Sequence, residues 1–360
     1  MLKKIIRFPL IILTVLLALG LLVGSASAWV APSVSMIPTY LGLAYPGIVL
    51  ANILALLMWL LHFKKYVLIP IVAMAICHAD VFRSFMFHSA NKSENIGGKT
   101  LKVLSYNLFI SNVDKKGMEH LKYVVNQDAD IVCLQEFGYV ADKKRVTLDD
   151  AKGILDKEYP YSYLNLSKTD ACHCGVVVLS KYKIMESKDF NIDSSFPGAA
   201  FVKLDVGGQL VRVACLHLQS NRLTAIDKAE IAALRKADKE ERKTTIKHIE
   251  MKLSDAYVKR EKQADLIAEE LAKSDGPTIV CGDFNDVPVS YVTHTIRGKM
   301  LNDAFAEVGN GYCNTYHENN FLFRIDQMLY SGHFQPISYK VDTVSYSDHY
   351  PVVATFSLKK

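Results

Sequence analysis

Residues 347–358 read SDHYPVVATFSL, in which an acid and an imidazole stand directly before an uncharged apolar run. The run from Val352 to Leu358 has the length and composition of a buried strand. Because Ser, Asp and Pro all favour turns, the first five residues are explained by a polar turn when they are taken alone. A role for Asp348 and His349 in chemistry therefore needs support from the rest of the chain.

Six other apolar runs have the same character, rich in Val, Ile and Leu. They cover residues 101–108, 131–137, 175–181, 210–218, 278–284 and 325–331. Helical patterns lie around 118–127, 149–157 and 257–273. Short buried strands that alternate with helices predict an α/β fold with extensive buried sheet, and residues 100–360 are enough for one domain.

Polar residues recur where these apolar runs stop. They are Asn107, Glu136, His217, Asp283, Asn285, Asp326, Asp348 and His349. Burying so many carboxylates is costly unless a cation or a hydrogen-bond network compensates them. Oxygen ligands without a thiolate or a His cluster suit Mg²⁺ or Mn²⁺ better than zinc. The pattern therefore predicts metal-assisted cleavage of a phosphate ester.

Six motifs carry a resemblance to a known family. They are YNLF at 106–109, LQE at 134–136, LHL at 216–218, GDFN at 282–285, RIDQMLYS at 324–331 and SDHYP at 347–351. In this order they resemble the endonuclease/exonuclease/phosphatase superfamily, which has the deoxyribonuclease I-like fold, over about Lys102 to Leu358. The resemblance implies a four-layered α/β sandwich, with two packed mixed β-sheets, helices outside and a metal-dependent phosphoesterase site at one end.

The resemblance also implies roles for individual residues. Glu136, Asn107 and Asp348 match metal-site positions, and Glu136 matches the principal ligand. Asp283 and Asn285 match the pair that orients the water and contacts phosphate, and His217 matches a phosphate-contacting histidine. Asp326 matches the acid that hydrogen-bonds the final histidine, His349. Both His349 and Asp283 remain candidates for the general base.

Two further positions qualify the resemblance. Arg222, just past His217, is a candidate phosphate contact, although an arginine at a helix start is also explained structurally. Phe109 stands where DNA-repair members have an acid, which weakens the link to abasic-site nucleases.

The first 87 residues form a predicted membrane region, with three helices at about 8–30, 41–61 and 66–82. Basic residues flank the first span and fill the turn after the second, so the positive-inside rule places the following domain outside the cytoplasm. Two alternatives remain. Ala26 to Ala28 could end a cleaved signal peptide, and two uncleaved spans instead of three would place the domain in the cytoplasm. A polar linker is predicted at 88–99.

Composition adds weak constraints. The net charge of +5 is too small to indicate nucleic-acid binding by itself. Residues 220–262 are densely charged, which predicts a solvated helix or helix pair, or a surface arm that contacts acidic lipid or a polyanionic substrate. The cysteine number is odd, seven, and Cys172 to Cys174 lack the second pair that a zinc finger needs.

Together these features predict a membrane-anchored phosphoesterase that depends on Mg²⁺ or Mn²⁺. A phosphodiesterase acting on nucleic acid is the favoured hypothesis, from the frequency of nucleases in the family and not from any residue. The alternatives are a phosphodiesterase or phosphatase acting on phospholipid or a phosphorylated small molecule, and a membrane-tethered binding protein without catalysis. The sequence gives no indication of the oligomeric state.

Overall fold

A computed structural model of the protein describes residues 2–62, 65–87, 98–109, 115–139, 146–168, 173–193, 198–234, 237–318 and 322–359. Most of the predicted linker, 88–97, lies outside the described residues, and so does Cys172.

The chain begins with five helices. They are α1 (Leu2–Ser25), α2 (Met36–Leu43), α3 (Tyr45–Leu61), α4 (Leu68–Ile76) and α5 (His78–Ser84), with 3₁₀ turns at Ala26–Ala28 and Lys65–Val67. Among the described residues, one segment, Arg7–Ala28, is long and apolar enough to cross a membrane. Two bent pairs raise the number to three if each counts as one span.

The bends fall inside the second and third predicted spans. The axes of α2 and α3 differ by 69°, and the segment Lys65–Ile76 differs from α5 by 77°. Pro46 lies in the first turn of α3, where a proline is tolerated because its missing N–H has no partner within the helix. A proline at this position favours the start of a new helix over the continuation of α2. The structure offers no comparable reason for the bend at Cys77.

The strands fall into two six-stranded sheets and one small pair. In chain order they are β1 (Phe85–Met86), β2 (Lys99–Asn107), β3 (Ile131–Tyr139), β4 (Tyr161–Lys168), β5 (His173–Ser180), β6 (Ile184–Asp189), β7 (Ala199–Val206), β8 (Gln209–His217), β9 (Thr278–Asp283), β10 (Leu301–Asp303), β11 (Gly311–Tyr312), β12 (Asp326–Ser331), β13 (Phe334–Val341) and β14 (Val352–Leu358). The sheet orders are β13-β14-β2-β3-β5-β4 and β10-β12-β9-β8-β7-β6. Each sheet is mixed, because β2–β3 and β8–β9 are parallel and the other pairs are antiparallel.

Six more helices follow in the described part of the chain, and four of them cover the outer faces of the two sheets. The six are α6 (Lys115–Asn126), α7 (Leu148–Leu155), α8 (Ala225–Ala233), α9 (Lys239–Leu271), α10 (Tyr291–Arg297) and α11 (Ala304–Val308). Side chains of α6 and α7 pack on the first sheet, and those of α9 and α10 pack on the second. The order helix, sheet, sheet, helix confirms the predicted four-layered sandwich.

The core between the sheets is apolar and closely packed. Val103, Val213, Ile279 and Phe356 are fully buried there. Cys133, Cys215 and Cys281 share this core as free thiols, so they act as small apolar side chains. All seven predicted strands lie in the sheets. The sequence analysis did not identify the short β1, β10 and β11, nor β4, β6, β7 and β13, in which polar residues interrupt the apolar runs.

Strand register brings the polar strand ends together. In the second sheet, Asp283 pairs with His217 on one side and with Asp326 on the other, so the three lie in one row. In the first sheet, Asn107 pairs with Gln135, next to Glu136. These strand ends therefore form one end of the sandwich.

Candidate active site

Two site residues depend on an unusual backbone. Glu136 has φ 47° and lies where the register of β3 shifts between Leu134 and Phe137. Asn285, two residues after β9, has φ 52°. Positive φ is uncommon outside glycine, and bulges of this kind redirect a side chain at the end of a sheet. The structure thus places both side chains at the polar end of the sandwich through locally unfavourable backbone.

Asp283 is the centre of the site. Its Oδ2 accepts hydrogen bonds from Asn107 Nδ2 at 3.0 Å and Asn285 Nδ2 at 3.2 Å, and its Oδ1 accepts one from the Asn285 backbone N–H at 2.7 Å. The side chain is 1% exposed. Burial raises the pKa of Asp283 to about 6, although the charge of His349 opposes the shift.

His349 is buried between two carboxylates. Its Nδ1 lies 2.9 Å from Asp326 Oδ2, and its Nε2 lies 3.7 Å from Asp283 Oδ2. Burial alone favours the neutral ring, but the charges of Asp326 and Asp283 outweigh it and raise the pKa of His349 to about 10. The ring is therefore an imidazolium at neutral pH, and its Nδ1–H donates to Asp326.

Ser347 fixes the turn that carries this histidine. Its Oγ donates to the Asn107 carbonyl at 2.7 Å and accepts from the His349 backbone N–H at 3.2 Å. The serine therefore connects the turn before β14 to the end of β2. Its contribution to the site is to position His349.

Glu136 and His217 form the next part of the site. His217 Nε2 lies 3.4 Å from Glu136 Oε1 and 3.8 Å from Asp283 Oδ2. It is buried and has no hydrogen-bond partner among the described residues. Since buried polar atoms are nearly always paired, this nitrogen indicates a position for an oxygen-bearing ligand such as a phosphate.

The Glu136 side of the site fits a divalent cation. Burial, followed by the charges of Glu136 and Glu318, raises the pKa of Asp348, although His349 opposes the shift. A cation near Glu136 and Asp348 would relieve this repulsion, and Mg²⁺ prefers one or two carboxylates with substrate phosphate. Asp283, Asp326 and His349 also offer ligand atoms within 4.8 Å of one another. The described residues therefore offer two groups that could hold a cation, one around Glu136 and Asp348 and one around Asp283.

Three residues beside His349 were not identified from the sequence. The Tyr316 ring meets the His349 ring edge-on at 5.1 Å, and Tyr316 Oη donates to Glu318 Oε2 at 2.7 Å. Lys228 of α8 forms an ion pair with the same carboxylate. Tyr316 and Glu318 lie in a polar loop without periodicity, and Lys228 is one of many charges in its segment, so no local signal distinguishes them.

Arg222, the predicted phosphate contact, lies in the loop after β8. Its side chain is exposed and its φ is 51°. Its role in substrate binding stays a prediction.

Two family models match the chain. The first, described as Endonuclease/Exonuclease/phosphatase family, matches residues 104–349, which include all eight predicted catalytic and metal-site residues. The second, described as Domain of unknown function (DUF8431), matches residues 3–84. No curated protein matches the chain.

Several solved structures resemble the protein. An endonuclease/exonuclease/phosphatase from Beutenbergia cavernae is 18% identical, with 72% of each chain covered and a TM-score of 0.52. A family protein from Leptotrichia buccalis is 15% identical, with 72% of this chain and 100% of that chain covered and a TM-score of 0.50. A humanized D. rerio TDP2 is 15% identical, with coverage of 72% and 99% and a TM-score of 0.50. At these identities the likeness supports the fold alone.

Proposed function

The chain belongs to the endonuclease/exonuclease/phosphatase family, and from that premise we propose that it is a membrane-anchored phosphodiesterase that requires Mg²⁺ or Mn²⁺. Members of this family are generally metal-dependent phosphoester hydrolases. The proposal for this chain depends on its own side chains.

One observation carries the proposal. A single carboxylate oxygen, Asp283 Oδ2, lies within 3.0 to 3.8 Å of Asn107, His349 and His217, which come from three separate motifs. Asn285 Nδ2 contacts the same oxygen at 3.2 Å, so two amides and two imidazoles surround one buried carboxylate, and such convergent groups typically mark a catalytic site.

The side chains support a division of roles. Asp283, with a pKa of about 6, is ionised at neutral pH and basic enough to take a proton from an attacking water. His349 is already protonated, so its Nε2–H is suited to stabilise negative charge on the phosphoryl oxygens, while Asp326 holds the ring in place. This arrangement favours Asp283 over His349 as the base.

Asn107, Glu136 and Asp348 would hold the metal, and His217 would contact the phosphate. When bound there, Mg²⁺ or Mn²⁺ would neutralise charge on the phosphoryl group. In the reaction, water adds its oxygen to phosphorus, the P–O bond to one alcohol breaks, and the alcohol leaves with a proton.

We further propose that the N-terminal helices anchor the enzyme with its catalytic domain outside the cytoplasm. Arg7 Nη2 donates to Tyr66 Oη at 3.0 Å, so the basic start of α1 lies beside the turn between α3 and α4. Both predicted basic clusters therefore lie at the same end of the helices, as the positive-inside rule requires for a three-span arrangement.

The test uses the full chain in detergent with bis(p-nitrophenyl) phosphate. We expect turnover with Mg²⁺ or Mn²⁺, loss of turnover with a chelator and recovery when the metal is restored. His349→Ala should lower kcat by about 10²–10⁴-fold. His333→Ala, at an exposed histidine in the turn before β13, is the matched control and should retain activity. Equal rates for the wild type and His349→Ala would refute the proposal and favour a binding protein.

A further inference from the structure

The N-terminal helices contact the loop that carries two site residues. We call residues 283–290 the catalytic loop, since it begins with Asp283 and includes Asn285. Val287 and Val289 of this loop are buried in one apolar cluster with Leu21 of α1 and Tyr45 of α3. Ser27 Oγ also donates to the Val289 carbonyl at 2.6 Å. Val287 is four residues from Asp283, so this contact lies within about 14 Å of the site.

A second contact reaches the loop on the other side of the site. Phe85 and Met86 of β1 pair with β11, and the Phe85 and Tyr312 rings lie 5.3 Å apart. The segment after β11 carries Tyr316, and Phe323 packs against the same apolar cluster as the catalytic loop. The N-terminal segment therefore contacts two stretches of chain that also carry side chains of the site.

The outer surface of α1 and α3 indicates where the bilayer would lie. Leu16, Leu54 and Leu61 are 58%, 58% and 77% exposed. An apolar exterior of this kind suits lipid chains, so the headgroups would lie near the helix ends that meet the sandwich.

The N-terminal half of α9 carries a basic face. Lys239, Arg242, Lys243 and Lys247 line one surface of the helix with Ile246 and Glu250. Ile246 is 54% exposed. Farther along α9, Glu261 accepts hydrogen bonds from Ser33 N and Oγ at 2.8 and 2.7 Å. This contact holds α9 against the connection between α1 and α2, beside the expected headgroup layer.

From these contacts we propose that the substrate is the phosphodiester of an acidic phospholipid in the bilayer that holds the enzyme. This inference rests on the proposed phosphodiesterase activity. Four cations on the α9 face complement anionic headgroups, and juxtamembrane basic residues are each attracted to such a surface. Hydrolysis would add water across one P–O bond of the headgroup and release either diacylglycerol or the headgroup alcohol. A lipid substrate would explain both the basic face of α9 and the contact between the catalytic loop and the N-terminal helices.

The test is surface dilution with the full chain in mixed micelles of Triton X-100 and phosphatidylglycerol. At constant bulk phosphatidylglycerol, the rate should fall as its mole fraction in the micelle falls. Monomeric dibutyryl phosphatidylglycerol should be at least about tenfold poorer as a substrate. If the monomer or plasmid DNA is cleaved at the same rate as the micellar lipid, the inference is refuted. Hydrolysis of bis(p-nitrophenyl) phosphate is measured in the same preparation. If this general substrate is not hydrolysed, the proposed phosphodiesterase activity is refuted, whereas hydrolysis of it without a preference for micellar lipid refutes only the lipid substrate.

A set of charge variants tests the α9 face. Changing Lys239, Arg242, Lys243 and Lys247 to Gln should lower the ratio of lipid activity to bis(p-nitrophenyl) phosphate activity at least about tenfold. The matched control changes Lys152, Lys157, Lys183 and Lys340 to Gln, which removes the same charge from other parts of the sandwich and should leave the ratio unchanged. Equal ratios in the two variants would refute the role of this face.

Discussion

In α1 and α3 many large apolar side chains are exposed, whereas in the two sheets such side chains are mostly buried. Leu16 is 58% exposed on α1, but Val103 and Ile279 are fully buried in the sandwich. Polar groups are buried in both regions. Thr14 and Asn52 are buried among the helices, at 1% and 0% exposure, and the sandwich buries the carboxylates of Asp283 and Asp326 at the end that holds the site.

These buried polar groups of the helices are paired with one another or with backbone carbonyls. Trp59 Nε1 donates to Thr14 Oγ1 at 2.9 Å, and Asn52 Nδ2 donates to the Leu17 carbonyl at 3.0 Å. Polar groups that are satisfied inside a helix group, with apolar side chains outside, are typical of helices surrounded by lipid. The sandwich instead buries its large apolar side chains between the sheets, which is the arrangement that water stabilises.

The largest expected effect compares the same substitution in both regions. Phe356→Ala removes a fully buried ring from between the sheets and should lower the free energy of unfolding by about 3–5 kcal/mol. Phe8→Ala removes a ring that is 67% exposed on α1, so it should change stability little. Thermal unfolding in detergent measures both. Similar losses would contradict the assignment of the two surfaces to different surroundings.

A charge on the outer face of α3 should cost about 3 kcal/mol of membrane insertion at the centre of a span. We therefore expect Leu54→Asp, at a side chain that is 58% exposed, to shift protein from the carbonate-resistant membrane fraction to the soluble or degraded fraction. Leu54→Ala is the control and should remain in the membrane. An unchanged distribution for Leu54→Asp would mean that this face does not contact lipid.

The buried imidazolium predicts a pH effect on stability. His349 has a folded-state pKa of about 10, above its ordinary value of 6.5, so its stabilisation is complete below about pH 6.5 and is lost as the pH rises towards 10. We expect the melting temperature to fall less steeply between pH 7 and 10 in His349→Gln than in the wild type. Parallel slopes would show that the imidazolium does not contribute.

The smallest effect concerns the contact between the N-terminal helices and the catalytic loop of the sandwich. Ser27→Ala removes the buried hydrogen bond to the Val289 carbonyl, which should cost about 1 kcal/mol. For a domain of about 150–250 residues, this corresponds to a fall of roughly 2–4 °C in melting temperature. Ser345→Ala, at an exposed serine, is the control. No difference between the two variants would indicate that this contact is not part of the stable structure.

The apolar runs predicted an α/β fold with buried strands because such runs are a local signal, and the four-layered sandwich was implied by the resemblance of the six motifs to the family. The sequence could not predict that Asp283 lies between His217 and Asp326, because strand register depends on pairing between distant segments. The bulge at Glu136 also leaves no local mark. Tyr316 was missed because its contact with His349 exists only in the folded chain. The bends among the N-terminal helices depend on packing, which hydropathy does not record.

The thiols in the core have a practical consequence for labelling. Contacts with Cys215 and Cys281, together with burial, raise the pKa of Cys133, which makes its thiolate scarce and unreactive. Every cysteine among the described residues is buried. With Cys172 changed to Ser, a cysteine introduced at Ile246 would therefore be the accessible target for a maleimide dye, and its fluorescence would report how deeply α9 enters the headgroup layer.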